Sequence, residues 1–100
     1  MDKEKLSQIE LPTVGEILRN EFMEPHGISA CRLAKGIHVP LYKIQEILNN
    51  NRKINLDMSI RLGKYFDVSY EYFIGIQNTI DVKKITENMS YDIESISPLK

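Results

Sequence analysis

Five side chains that could contact nucleic-acid bases lie close together in the middle of the chain: Tyr42, Lys43, Gln45, Glu46 and Asn49. At 100° per residue of an α-helix, all five fall on the side turned away from Ile44. Gln and Asn amides can make paired hydrogen bonds with adenine, Lys can reach guanine and Glu can accept from cytosine. We therefore interpret this face as a reader of base edges in DNA. The alternative is a plain solvated helix face.

A second set of side chains suits the phosphate backbone of DNA: Ser29, Arg32, Lys35, Arg52 and Lys53. Ser29 is also a predicted helix N-cap, where free backbone N–H groups favour an anion. The chain as a whole carries a net charge of −1, which does not favour an anionic partner. However, residues 29–64 hold seven basic and two acidic side chains, a net charge of +5, between two acidic flanks of −3 each. Chance clustering of charge on solvated helices is the alternative.

The elements that must position these residues follow from capping and periodicity. Thr13 with Glu16 forms a capping-box pattern at the start of a first helix, which Pro25 and Gly27 end. Ser29 precedes a short second helix, and Pro40 suits the first turn of a third helix over residues 41–49.

The second and third helices carry the spacing of a helix-turn-helix motif. Ala34 is small enough for a close helix crossing, and His38 stands four residues later at the tight turn. This turn residue is usually Gly, and His tolerates the positive φ that the turn often needs. Val39, Ile44 and Ile47 then supply the buried positions. An ordinary helical bundle is the alternative, and the polar outer face of the third helix argues against it.

The rest of the chain completes an all-α fold of five helices. Asn55 is the predicted cap of a fourth helix over residues 56–66, and Ser69 that of a fifth through Glu87. The tail alternates apolar and polar residues, which predicts a short C-terminal strand. The predicted domains are a flexible arm at 1–12, a helix-turn-helix domain at 13–88 and a tail at 89–100.

We expect a homodimer through the fifth helix and tail, where the aromatic and aliphatic residues concentrate: Tyr72, Phe73, Ile76, Ile80 and Ile93. These residues could equally close the core of the monomer.

The order of residues resembles the HigA-type antitoxins, a branch of the phage-repressor-like (Xre) helix-turn-helix family. The resemblance covers residues 12–82 well and rests on these segments: Gly15-Glu16-Ile17-Leu18-Arg19, Phe22-Met23-Glu24-Pro25, Gly27-Ile28-Ser29, Arg32-Leu33-Ala34-Lys35, Val39-Pro40 and Glu46-Ile47-Leu48-Asn49. It implies a homodimer that binds double-stranded operator DNA, represses its own operon and neutralises a toxin, a RelE-like mRNA endonuclease. The chain departs from the family at Ala30, where the family often has Gln.

Composition and spacing argue against other classes of protein. His26, His38 and Cys31 do not form a metal-binding spacing, no Gly-rich phosphate loop is present, and we expect neither an enzyme nor a cofactor. We expect Cys31 to be buried rather than reactive. The charged N-terminus and the short apolar runs predict a cytoplasmic protein without a membrane segment. A stand-alone repressor without a toxin, and a protein-interaction module that has lost DNA binding, remain alternatives.

Overall fold

The computed structural model describes residues 11–99, so the predicted arm at residues 1–12 lies almost wholly outside the described part of the chain. Residues 11–99 contain helices and no strand, which confirms the all-α fold class. The helices, in chain order, are α1 (Val14–Ile17) with a π-helical segment that continues it (Leu18–Met23), α2 (Ala30–Ile37), α3 (Leu41–Leu48), α4 (Leu56–Phe66), α5 (Tyr72–Glu87) and α6 (Tyr91–Glu94).

The first helix begins at the predicted capping box. The Thr13 hydroxyl accepts from the Glu16 N–H at 3.1 Å, and the Glu16 carboxylate accepts from the Thr13 N–H at 3.0 Å. The π-helical segment then changes which residues face inward. Leu18 and Met23, five residues apart, are both buried, because a π-helix pairs residues i and i+5. An α-helical period would have placed Phe22, not Met23, beneath Leu18.

The core lies where α1, α2, α3, α4 and α5 pack on one another. Its largest fully buried side chains come from all of these helices and from the loop before α4: Leu18, Leu33, Ile44, Ile47, Ile54, Leu62 and Phe73. Around Phe73 the aromatic rings pack at tilted or edge-on angles, with ring centroids of Phe22 and Phe73 4.8 Å apart. Ala34, Ile44 and Ile47 are buried, as the helix-turn-helix spacing predicts.

Asn55 caps α4 as predicted, accepting from the Met58 N–H at 2.8 Å. The prediction for α5 was wrong at its start. Ser69 accepts from the Glu71 N–H at 3.2 Å and stabilises a turn, and the helix itself begins at Tyr72. The predicted end at Glu87 is confirmed.

The predicted strand in the tail is wrong. Residues Tyr91–Glu94 form the short helix α6, and the Ser90 hydroxyl caps it by accepting from the Ile93 N–H at 3.3 Å. A strand in the tail would need a neighbouring strand, and the described residues provide none.

Among the residues predicted for dimerisation, Phe73 and Ile80 are core residues and not surface residues. Phe73 and Ile80 are therefore not available for a dimer contact, whereas Tyr72 and Ile93 are exposed.

Helix α5 carries apolar residues on two opposite sides. Phe73 and Ile80 face the core, and Val82 and Ile85 lie about half a turn away around the helix, 59% and 57% exposed. Among the helices of residues 11–99, none is long and apolar enough to cross a membrane.

Candidate nucleic-acid interface

The turn between α2 and α3 adopts the geometry that the sequence predicts. His38 has a φ of 63° and a ψ of 47°, the left-handed region that favours glycine. The Val39 N–H donates to the Ala34 carbonyl at 3.0 Å and closes the turn. Proline at position 40 precedes the first residue of α3 with extended backbone, so α3 begins directly after the turn.

The side chain of Arg61, whose role the sequence did not indicate, binds the backbone of this turn. Arg61 of α4 donates through one Nη to the carbonyl oxygens of Ile37 at 2.8 Å and His38 at 3.2 Å. Its Nε donates to Asp57 at 2.8 Å. The Asp57–Arg61 spacing of four residues was the available signal, but nothing in the sequence links it to the end of α2. A side chain from another helix therefore satisfies the last carbonyl of α2 and that of the turn residue after it.

The C-terminal end of α3 is fixed against α1. The Gly15 N–H donates to Asn50 Oδ1 at 3.3 Å. A Cβ atom at Gly15 would lie 2.7 Å from the carbonyl oxygens of both Ile47 and Leu48. The two helices thus approach more closely than any residue with a side chain would allow. Asn50 itself has a φ of 62°, in the left-handed region.

The predicted base-reading residues share the outer side of α3. Tyr42 is 52% exposed, and Gln45 and Asn49 are also exposed. Lys43 and Glu46 are half-buried at the borders of the face. Ile44 and Ile47 on the opposite side are fully enclosed by the core. The structure therefore brings all five predicted residues to one side of α3, whose opposite side is packed in the core.

Three of the predicted phosphate-binding residues lie on or beside α2. Ser29 is its N-cap and accepts from the Arg32 N–H at 3.1 Å, which leaves the hydroxyl hydrogen available to an acceptor. Arg32 and Lys35 are exposed. Within residues 11–99, neither side chain makes a salt bridge. Both basic side chains are thus available to an anion.

The other two predicted phosphate-binding residues lie in the loop between α3 and α4, and both are paired with carboxylates. Arg52 Nε is 2.7 Å from Glu46 Oε1 of α3, and Lys53 Nζ is 3.3 Å from Asp81 Oδ2 of α5. A recess of about 120 Å³ lies between this loop, the turn and the start of α4. Its basic lining residues are Lys43, Arg52, Lys53 and Arg61.

A buried amide from α5 holds the same loop. Gln77 Oε1 accepts from the buried Ile54 N–H at 3.0 Å, and Gln77 Nε2 donates to Asp81 Oδ1 at 3.2 Å. The sequence shows Gln77 only as one polar residue of a long helix, and no local pattern indicates that it is buried. With the Lys53–Asp81 pair, these contacts tie the loop after α3 to α5 at two successive residues.

The prediction for Cys31 was wrong, because the residue is exposed near the start of α2. It lies two residues before Leu33, about 200° around the helix from that buried side chain. In the part of the chain from 11 to 99, no group of three or more His, Cys, Asp and Glu side chains could hold a metal ion.

Comparison with known proteins places this arrangement among helix-turn-helix regulators. No protein-family model matches the chain. The chain is 38% identical over 92 residues to virulence-associated protein I of Dichelobacter nodosus, and the alignment covers 90% of this chain and 84% of that protein. It is 34% identical over 77 residues to the uncharacterized HTH-type transcriptional regulator YbaQ of Escherichia coli K12, covering 77% of this chain and 68% of that protein.

Among solved structures, the chain is similar to the Pseudomonas aeruginosa antitoxin HigA with the higBA promoter. The TM-score is 0.78 and the sequence identity 33%, with 89% of this chain and 98% of that chain covered. The similarity therefore spans the whole helical domain, including the turn and α3.

Proposed function

The chain belongs to the HigA-type branch of the phage-repressor-like helix-turn-helix family, and on this premise we propose that it is a DNA-binding antitoxin that represses its own operon. The observation that carries the proposal is the outer face of α3. Its hydrogen-bonding side chains point away from a fully packed inner face, and Arg32 and Lys35 are exposed on α2, the preceding helix that packs against α3. A helix of this kind can enter the major groove while the preceding helix crosses the DNA backbone.

In this arrangement the residues of α3 determine sequence preference. Tyr42, Lys43, Gln45 and Asn49 contact base edges. Ser29, Arg32, Lys35 and Lys53 contact phosphates, for which Lys53 must exchange Asp81 for a phosphate oxygen. Each phosphate neutralised by a basic side chain makes the fall of the logarithm of the binding constant with the logarithm of salt concentration steeper by about 0.9.

We further propose that the active form is a homodimer. Val82 and Ile85 on the outer side of α5, together with the exposed Tyr72 and Ile93, supply apolar surface that no described residue covers. Two copies of α3 would then read two half-sites about 34–36 Å apart, one turn of DNA.

The antitoxin part of the proposal rests on family membership and on charge. The acidic segments at residues 1–28 and 65–100, each with a net charge of −3, suit a basic partner such as a RelE-like ribonuclease. Co-expression with the product of the neighbouring gene tests this. A stable complex that blocks mRNA cleavage supports the antitoxin. A neighbouring gene that encodes no such protein favours the stand-alone repressor.

Binding to DNA is tested by titrating the full chain into labelled duplex from upstream of its own gene, with scrambled duplex as control, at two salt concentrations. We expect salt-sensitive binding that strongly prefers the upstream duplex. Lys43→Ala with Gln45→Ala should abolish most of this preference, because each lost base contact is worth about 1–3 kcal/mol.

Lys64→Ala is the matched control. Lys64 lies in the last turn of α4, and the loop after α3 adjoins the first residue of that helix, about 12 Å away along the helix axis. Its removal should leave sequence preference unchanged. Equal weak binding of the unmodified chain to both duplexes would refute operator recognition and favour a protein-interaction module.

A further inference from the structure

The loop after α3 folds back onto the predicted base-reading face. The Asn50 N–H donates to the Ile47 carbonyl and the Asn51 N–H to the Glu46 carbonyl, at 3.0 and 2.7 Å. With Asn50 in the left-handed region, the chain reverses direction within one turn of the end of α3. This reversal returns Arg52 to the surface of the helix that precedes it.

Arg52 lies between two residues of that face. Its Nε is 2.7 Å from Glu46 Oε1, and its Cζ is 5.8 Å from the centre of the Tyr42 ring. Tyr42 and Glu46 are four residues apart and so are neighbours on the same side of α3. The ion pair and the cation–π contact together hold the guanidinium on α3 rather than at the flank of the interface.

We propose that Arg52 reads a guanine in the major groove and that Glu46 positions it instead of contacting a base. This assignment rests on the operator-binding function proposed above. It moves Arg52 from the phosphate-binding set to the base-reading set and gives Glu46 a supporting role.

The hydrogen-bonding capacity of the guanidinium supports this assignment. Nε donates to Glu46, and within residues 11–99 neither Nη group donates to a protein acceptor. The Arg52 side chain is 37% exposed, so these groups are accessible. Two Nη donors side by side match the O6 and N7 acceptors of guanine, the commonest specific contact of arginine with DNA.

The Glu46 carboxylate also favours guanine over phosphate as the partner of Arg52. A phosphate would compete with Glu46 for the same positive charge and would lie close to a second anion. Guanine O6 and N7 are neutral acceptors, so they can bind the outer edge of the guanidinium while the ion pair stays intact. Glu46, already bonded to Arg52 on one oxygen, is correspondingly less available to accept from cytosine.

The test uses the full chain and the upstream duplex, shortened to the sequence that it protects from nuclease. Each guanine is replaced in turn by 7-deazaguanine, which lacks the N7 acceptor. We expect at least one position per half-site at which the replacement weakens binding of the unmodified chain by about 2- to 12-fold, the cost of one lost hydrogen bond, because O6 remains as an acceptor. Arg52→Ala should lose affinity for the natural duplex and become insensitive to that replacement.

Two further variants separate base reading from a phosphate contact and from a structural role. Arg52→Lys keeps the charge but not the planar fork, so it should lose the guanine preference as Arg52→Ala does. Glu46→Gln keeps an oxygen that can accept from Nε and should retain the preference. Glu46→Ala should weaken it, and the double variant Glu46→Ala with Arg52→Ala should be no weaker than Arg52→Ala alone.

Three results would overturn the assignment while leaving operator binding intact. The first is a loss of affinity in Arg52→Ala that is the same for all duplexes. Together with a salt dependence reduced by about 0.9 and near-normal binding by Arg52→Lys, this loss would identify a phosphate contact. The second is a new adenine preference in Glu46→Gln, which identifies Glu46 as the base reader. The third is the absence of any 7-deazaguanine-sensitive position. If the unmodified chain does not prefer the upstream duplex, the proposed function itself fails, and this assignment fails with it.

Discussion

Replacing Gly15 with alanine adds one methyl group at the contact between α1 and the end of α3. The new Cβ would lie 2.7 Å from the carbonyl oxygens of Ile47 and Leu48, whereas ordinary contacts begin at 3.4 Å. Both obstructing atoms belong to the backbone, so no side chain can rotate away. The two helices must separate by roughly 0.7 Å, and the 3.3 Å bond from the Gly15 N–H to Asn50 is stretched further.

The expected loss of stability follows from three contributions. Overpacking of this kind costs about 1–3 kcal/mol. Weakening the hydrogen bond to Asn50 costs up to about 1 kcal/mol, and the better helix propensity of alanine returns about 1 kcal/mol. The net destabilisation of Gly15→Ala is therefore about 1.5 kcal/mol. For a domain of this size, that lowers Tm by about 6–12 °C.

Thermal and urea unfolding monitored by circular dichroism measure this effect. The matched control is Gly75→Ala, because Gly75 lies in α5 and a Cβ atom there would meet no atom within 4 Å. That variant should gain about 0.5–1 kcal/mol from helix propensity alone. A Gly15→Ala protein that is as stable as the unmodified chain would show that the close approach of α1 and α3 is not needed for this fold.

Two other predictions concern the core and the dimer. Ser59→Ala should destabilise the chain by about 1–3 kcal/mol in urea unfolding, because the buried hydroxyl donates to the Tyr70 carbonyl at 2.7 Å and accepts from the Ile74 N–H at 2.9 Å. A loss below about 0.5 kcal/mol would contradict this. If the proposed homodimer forms through α5, Ile85→Asp should convert it into a folded monomer in sedimentation equilibrium, since Ile85 is exposed in the single chain. A variant that stays dimeric would remove α5 from the dimer contact.

Local sequence signals predicted most of the elements around the site. Thr13, Ser29 and Asn55 each cap a helix through the hydrogen bond expected of them, and α4 spans the predicted residues. The positive φ of His38 also followed from the motif spacing. These features depend on a few neighbouring residues, so the information that determines them is local.

The features that sequence reasoning missed depend on residues far apart in the chain. Arg61 bonds to the end of α2 from 23 and 24 residues away, and Gln77 bonds to the Ile54 N–H over 23 residues. The π-helical segment likewise changes the period at Met23, where an α-helical pattern gives no warning. The ion pair between Arg52 and Glu46 was also missed, because it requires the reversal of the chain at Asn50.

The contacts of Gln77 and Asp81 have a thermodynamic consequence for the whole molecule. The loop after α3 is bonded to α5 through Ile54 and Lys53, so a displacement of the loop that breaks these bonds also changes the surroundings of α5. Equilibria that share a structural element are linked, and the linkage free energy has the same value in both directions. A partner that stabilises α5 in its present position therefore favours this position of the loop, and a ligand that binds the loop in this position favours binding of that partner to the same extent.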